Sequence, residues 1–404
     1  MRNGKGEEYN NENFYKFEGE YLNGNKINGK GYDKKNLLTL EIKNGKRKEY
    51  FYNGKLKFEG EYLNERKWNG IGYDYKGIKV FEIKDGKGKI REYNYYGTLL
   101  FQGEYVNGLK NGNNEEYYIN SNLKYIGEFK NNLKNGKFIE FHYNGKESFV
   151  GKYKKGKKTG NGREYNENGF LLFKGAFLEG LKNGKGKEYY ENGNIFIEGE
   201  YINGKRVKGK EYLESGELVF EGEYLNEKKH GNGKQYNKNL DILFDGEYLN
   251  GNMWNGKIKE YYDNGHILFE GEYSNGKKNG KGKEYYENGN LIFEGEYSNG
   301  ERNGNGKEYY ENGNIIFEGE YLKGKRNGKG KEYDKYSELM FEGEYFKGNR
   351  WNGKGTEYNE NGILEFDGEY MNGKKWNGII TEYDWDSGEI IFNGSITNGE
   401  KVEI

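Results

Sequence analysis

The side chains able to do chemistry are few, and their spacing keeps them apart. Histidine occurs at His142, His230 and His266 alone, 88 and 36 residues from one to the next. A metal centre or a base–nucleophile pair needs such groups to converge, yet each histidine stands in a different copy of a repeating sequence. There is no cysteine, hence no thiolate ligand, no disulfide and no thiol nucleophile. The 66 acidic residues recur with the repeat, as a solvated strand face requires. No Gly-x-x-x-x-Gly-Lys-Ser/Thr phosphate loop is present, and the many Gly-x-Gly triplets open no helix. Asp384-Trp385-Asp386-Ser387-Gly388 lacks the ligand series of a calcium loop and reads as a turn. Asn393-Gly394-Ser395 fits a glycosylation sequon, with nothing that directs secretion. These observations predict a non-enzyme with no catalytic residue, metal, cofactor or small-molecule substrate.

Two sets of residues remain as candidate contacts. Trp68, Trp254, Trp351 and Trp376 each precede Asn-Gly at one position of the repeat, and relative to Lys278-Asn279-Gly280 each is a one-residue insertion. They are candidate partner contacts, since tryptophan is enriched at binding hot spots. The competing reading folds each ring back over an adjacent tyrosine, and the cost of exposing an indole favours it. Lys277, Lys278 and Lys281 stand in what reads as a loop. They are candidate lipid contacts, because lysines recur there in most copies and form a basic edge. A solvated rim accounts for them as well, because the 65 basic and 66 acidic side chains leave a net charge of only -1. That balance removes any global pull toward nucleic acid.

The elements that carry these residues follow from composition. The chain has 404 residues, 32% hydrophobic and 32% charged, which resembles disorder. But 41 Tyr and 23 Phe make it rich in aromatic rings, and disordered chains are poor in them. It has 67 Gly and no Pro, a combination that predicts many tight turns between strands whose N–H groups are all needed. No apolar run is long enough for a transmembrane helix, and the start has no apolar signal core. With cysteine absent, a cytoplasmic location is expected, with membrane association open.

An internal repeat organises the whole sequence. The unit Phe269-Glu-Gly-Glu-Tyr-Ser-Asn-Gly-Lys-Lys-Asn-Gly-Lys-Gly-Lys-Glu-Tyr-Tyr-Glu-Asn-Gly-Asn-Leu-Ile292 restarts at Phe293 and Phe317. Counting its worn copies, about 17 units run in one continuous array. Residues 1–102 are partly degenerate, 103–394 are regular at about 24 residues, and 395–404 form a partial copy. Leu40-Glu41-Ile42 and Phe81-Glu82-Ile83 are the worn copies. Phe-Glu-Gly-Glu-Tyr alternates with period two, placing Phe, Gly and Tyr on one face. Asn-Gly-Lys-Lys-Asn-Gly reads as a turn, and Lys-Gly-Lys-Glu-Tyr-Tyr as the second strand. Each unit is thus a hairpin, and stacked hairpins make an all-β, elongated, twisted antiparallel meander, solenoid-like in its repetition. About 34 strands at roughly 4.8 Å give an unbent length on the order of 160 Å. A neighbouring ring is expected over each strand glycine. On the other face Glu opposes Lys, with Glu296 expected against Lys283.

These residues resemble the MORN (membrane occupation and recognition nexus) repeat. Gly271-Glu272-Tyr273, Asn275-Gly276-Lys277-Lys278, Gly280-Lys281-Gly282 and Tyr285 match its pattern, and His230-Gly231 keeps its His-Gly pair. Most loops carry Asn-Gly in that place, and the worn copies lack the anchor glycine. The resemblance implies stacked hairpins acting as a scaffold, an oligomerisation element or a membrane-apposed module.

The expected function is therefore a repeat scaffold that binds another protein or itself. The chain begins in mid-unit and ends soon after a first strand, at Lys401-Val402-Glu403-Ile404, which predicts open strand edges suited to self-pairing. The alternatives are a module for an anionic phospholipid surface and, third, a carbohydrate- or wall-binding array of aromatic hairpins.

Overall fold

The computed structural model describes residues 2–10, 15–384 and 387–403. The motif at 384–388 lies partly outside these residues. The described chain is all-β, with 35 strands and no helix. Successive strands pair antiparallel in two meander sheets, the first from Gly4–Asn10 to Lys79–Ile83 and the second from Gly88–Tyr93 to Glu400–Glu403. Gly88–Tyr93 pairs with Leu99–Val106 and Glu400–Glu403 with Ile390–Thr397. The second sheet is not closed into a barrel. By its internal packing the chain forms two compact units, Met1–Val207 with Glu214–Gly216 and Lys208–Leu213 with Glu217–Ile404.

One repeat of the second unit shows why the sequence folds this way. Ile267–Ser274 and Lys277–Tyr285 form a hairpin. The turn is Asn275-Gly276 alone, with φ of 53° and 74°, the left-handed pair a two-residue hairpin needs. The stretch read as a six-residue turn is therefore mostly strand. Lys277, Lys278 and Lys281 lie on Lys277–Tyr285, not in a loop. The slack falls inside the ladder, where Gly271 faces Gly282 but Glu272 faces Asn279, so Gly280 and Lys281 bulge. Tyr286–Asn290 makes the return turn, closed by Gly289 N–H to Tyr286 O at 2.8 Å.

The alternation places Phe, Gly and Tyr inward as expected, and Phe293, Phe317, Phe341 and Phe366 are fully buried. Each Phe ring covers the glycine two residues ahead on its own strand. A Cβ added to Gly295 would stand 2.6 Å from Phe293 Cζ and 2.7 Å from Gly306 Cα. The ring over the glycine thus comes first from the same strand and also spans the facing glycine of the next. Tyrosines lock these rings edge-on. Phe293 meets Tyr297 at 5.6 Å and Tyr321 at 5.3 Å, and Phe317 meets Tyr321 at 5.4 Å and Tyr345 at 5.0 Å, all near perpendicular. Each pair is worth about 0.5–1.5 kcal/mol beyond its buried area. In the second unit one core cluster runs from Phe220 to Ile396. The first unit has three smaller ones, around Phe17, Phe58 and Phe149. The worn hairpins lie in the Phe17 and Phe58 clusters, where Ile42 and Ile83 replace a tyrosine.

Facing glycines also set the register of the outer face. Gly282 opposite Gly295 brings Lys283 against Glu294, with Nζ 3.7 Å from the carboxylate. Glu296 faces Lys281 instead, which corrects the expected Glu296–Lys283 pair.

A single methyl group added under a ring is predicted to be costly. Gly295→Ala should destabilise by about 1–3 kcal/mol through overpacking. Gly300→Asn, in a turn with open space around it, should cost under about 1 kcal/mol, since Asn tolerates left-handed backbone. Thermal unfolding followed by circular dichroism compares the two, and equal melting points would contradict the ring-over-glycine packing.

Candidate functional site

The inward face is not purely apolar. In most repeats the residue facing the inward tyrosine across the hairpin is a lysine or arginine whose cation lies over the neighbouring phenylalanine, whereas Tyr248 faces Met253. Lys278 Nζ is 3.7 Å from the Phe269 ring centre, and the Arg302 and Arg326 guanidinium carbons are 4.1 and 4.5 Å from Phe293 and Phe317. Such contacts contribute about 0.5–2 kcal/mol. Glutamates of the same strand and of the strand two places before it then bind the cations. Arg302 pairs with Glu284 and Glu308, Arg326 with Glu308 and Glu332, and Arg350 with Glu332. Tyr297 and Tyr345 donate their hydroxyls to Glu284 and Glu332 at 2.7 and 3.0 Å. The result is a ladder of alternating charge laid over the aromatic rings, and it is structural in kind.

The opposite face of the second unit carries a trough of 1210 Å³. Its floor is the backbone of facing glycines, from Gly271 through Gly282, Gly295, Gly306, Gly319 and Gly330 to Gly343. Two rows of charged residues flank that floor. In one, Lys283, Glu294, Lys307, Glu318, Lys331 and Glu342 pair with one another, three bridges spanning 3.2–3.7 Å. Tyr309 and Tyr333 also donate to Glu294 and Glu318, so this row is largely satisfied internally. The other row includes Glu272, Lys281, Glu296 and Lys329, and these side chains are exposed or half-exposed. Sequence reading missed the trough. The period-two pattern and the Gly-Lys-Gly spacing hold its signal, but only the register shows that the glycines line up.

The predicted site residues sit as follows. Lys278 is tied to Phe269 and to Glu260 at 3.2 Å. Lys277 is exposed at the turn, and Lys281 lines the trough. The four tryptophans are half-buried, and each is the bulged residue of its strand. Met253 faces Tyr248 and Asn255 faces Glu247, leaving Trp254 between them, and Trp68, Trp351 and Trp376 repeat this. Each indole lies against the turn glycine of the next repeat rather than over an adjacent tyrosine. Trp351 and Trp376 come within 3.3 Å of where a Cβ on Gly373 and Gly399 would be. The carbonyls of Trp254, Trp351 and Trp376 accept the N–H of Gly276, Gly373 and Gly399 at 2.9 Å. Trp351 also meets Phe346 at 5.2 Å. Two histidines bond to backbone carbonyls, His142 to Tyr165 O at 2.9 Å and His266 to Glu287 O at 2.8 Å. Among the described residues no cluster of three or more His, Asp or Glu has metal-site geometry.

Several charged groups are shifted, and the causes follow from these contacts. Burial pushes the Glu116 carboxyl up. Hydrogen bonds from Tyr125 and Lys124 and the charge of Lys110 outweigh it, lowering the carboxyl from 4.5 to about 2. Burial, then the hydrogen bond and charge of Glu260, raise the Tyr273 phenol from 10.0 to about 12. A carboxylate with a depressed folded value contributes stability above its unfolded value and loses it as pH falls through the folded one. A phenol with a raised value contributes below its unfolded value and loses it as pH climbs through the folded one. The melting temperature should therefore be highest between about pH 5 and 10, falling toward pH 2 and toward pH 12. Melting curves across pH check this, and an unchanged midpoint from pH 7 to pH 3 would count against it.

A family model described as the MORN repeat matches residues 101–113, 125–137, 149–169, 173–195, 220–241, 269–291, 293–315 and 317–335. A model of the MORN repeat variant matches residues 43–64 and 254–275. No curated protein matches the chain. Among solved structures, a crystal structure of TcdB2-TccC3-TEV is 10% identical over 97% of this chain and 26% of that one, with a TM-score of 0.17. The Photorhabdus luminescens Tc holotoxin pore is 11% identical over 95% and 25%, also at 0.17. The chain spans about a quarter of the length of these solved chains.

Proposed function

From the premise that this is a MORN-repeat protein, with eight repeats of the main form and two of the variant, we propose that it is a non-enzymatic scaffold that binds a protein partner or a second copy of itself. The trough of the second unit is the observation that carries this reading. It is continuous over several repeats, floored by bare backbone and flanked by a charged row in which the exposed Lys281 and Lys329 have no ion pair among the described residues. A floor without side chains lets a partner approach the sheet closely, and exposed charge steers association and fixes register. We propose a cytoplasmic location, with membrane association open. Among the described residues no helix is long and apolar enough to cross a membrane.

The anionic-lipid alternative keeps Lys277 as an exposed cation but loses Lys278 to the aromatic face. The carbohydrate alternative draws no support from the strands, whose inward rings are buried.

Reversing the charge of the trough should abolish partner binding without unfolding the protein. The variant Lys281→Glu/Lys329→Glu should lose proteins that the wild type retains from native lysate, or lose its own association by sedimentation velocity at micromolar concentration, with the melting temperature unchanged. Identical retention and association would refute the trough as the contact surface. Co-sedimentation of the wild type with anionic vesicles at low salt, where screening is weakest, would instead favour the lipid reading.

A further inference from the structure

In several repeats a tyrosine and the cation facing it share one carboxylate of the preceding strand. Tyr273 donates to Glu260 at 2.9 Å, and Lys278 lies 3.2 Å from the same group. Glu332 receives Tyr345 at 3.0 Å and Arg350 at 2.8 Å, and Glu357 receives Tyr370 at 2.5 Å and Lys375 at 2.8 Å. Tyr105 and Lys110 form the same cross-strand pair. Glu92 stands 13 residues before Tyr105, the spacing of Glu260 and Tyr273.

This carboxylate is diverted. Glu92, on Gly88–Tyr93, pairs with Lys67 at 3.3 Å, past the strand Lys79–Ile83 of the worn copy. The Tyr105 hydroxyl reaches no carboxylate among the described residues, and Lys110 keeps only Glu116, at 3.1 Å. The worn hairpin has Phe81-Glu82-Ile83 where a full copy has Phe-Glu-Gly-Glu-Tyr. Its shortfall leaves a recess of 530 Å³ in the first unit, lined by Tyr62, Lys67, Tyr105, Lys110, Tyr125 and Phe129, among others. That volume falls in the range of roughly 300–1,000 Å³ seen for small-molecule sites. Four rings line it beside the cations Arg66, Lys67 and Lys110 and the carboxylates Glu65 and Glu92, and Tyr105 faces Lys110 without the shared carboxylate that other repeats supply.

We propose that this recess binds a small organic carboxylate with a flat apolar body. Its carboxylate accepts from the Tyr105 hydroxyl and the Lys110 ammonium, the place Glu260 takes between Tyr273 and Lys278. Its body lies against Tyr62, Tyr125 and Phe129. Lys67 holds the charge of Glu92 and so lessens repulsion of the ligand. The site is in the first unit and is independent of the trough, and it departs from the expectation that the chain has no small-molecule ligand.

The probe is 2-naphthoate, titrated calorimetrically into the full chain at neutral pH. Saturable one-to-one binding is expected. The Tyr105→Phe variant keeps the ring and loses the hydroxyl, and should bind at least ~10-fold more weakly, since a hydrogen bond to a charged group is removed. Its melting temperature should equal that of the wild type, which separates binding from folding. Lys110→Gln should weaken binding further, and the neutral analogue 2-naphthalenemethanol should bind at least ~10-fold more weakly than the acid. Absence of saturable binding, equal affinity in Tyr105→Phe, or equal affinity for the neutral analogue would each overturn the assignment.

Discussion

Everything in this fold depends on a benzene ring lying flat on a peptide backbone that has no side chain of its own. Phe293 over Gly295 and Gly306 is one instance among many. A strand glycine normally weakens a sheet. Here its missing Cβ is the space the ring occupies, and the tyrosine of the next repeat closes the ring's edge. Because rings such as Phe269, Phe293, Phe317 and Phe341 touch the copy ahead, these repeats are not complete alone, and order spreads by nearest-neighbour contact. This explains how a chain with only 32% hydrophobic residues buries a core.

The charged residues finish what the rings begin. Arg302, Arg326 and Arg350 cover phenylalanines while their guanidinium groups are held by Glu284, Glu308 and Glu332. An isolated exposed pair of this kind is worth little. A ladder in which each carboxylate serves two cations or a cation and a phenol is half-buried and mutually oriented, so it fixes side chains whose entropy would otherwise oppose order. Polar composition and a well-packed face are therefore compatible, with the polarity placed at the rim of the rings.

Most of the fold was legible from spacing. Alternation identified the strand of Phe269 to Tyr273 and its inward face, and Asn275-Gly276 identified the turn. The second strand began four residues earlier than its sequence reads, at Lys277. Gly280, with a left-handed φ of 74°, serves a bulge rather than a turn, and single-strand patterns do not distinguish the two. The same ambiguity hid the destination of Lys278, since a loop lysine is free and a strand lysine facing Tyr273 is not. The tryptophans were recognisable as insertions, but their resting place on the next repeat's turn depends on packing between repeats. The trough and the recess were illegible for a different reason. One arises from glycines aligned across many strands, the other from residues a worn copy lacks, and neither is a motif along the chain.

The turn glycines have a consequence for the chemical durability of the chain. Asn-Gly is the dipeptide most prone to spontaneous ageing, in which the glycine nitrogen attacks the asparagine amide, expels ammonia and leaves an isomerised backbone. At Asn275-Gly276, Asn299-Gly300 and Asn372-Gly373 that nitrogen donates its hydrogen to a carbonyl one repeat back, at 2.9 Å. The bond that links successive copies thus also restrains the attacking atom, and a sequence full of fragile dipeptides gains shelf life from its own periodicity.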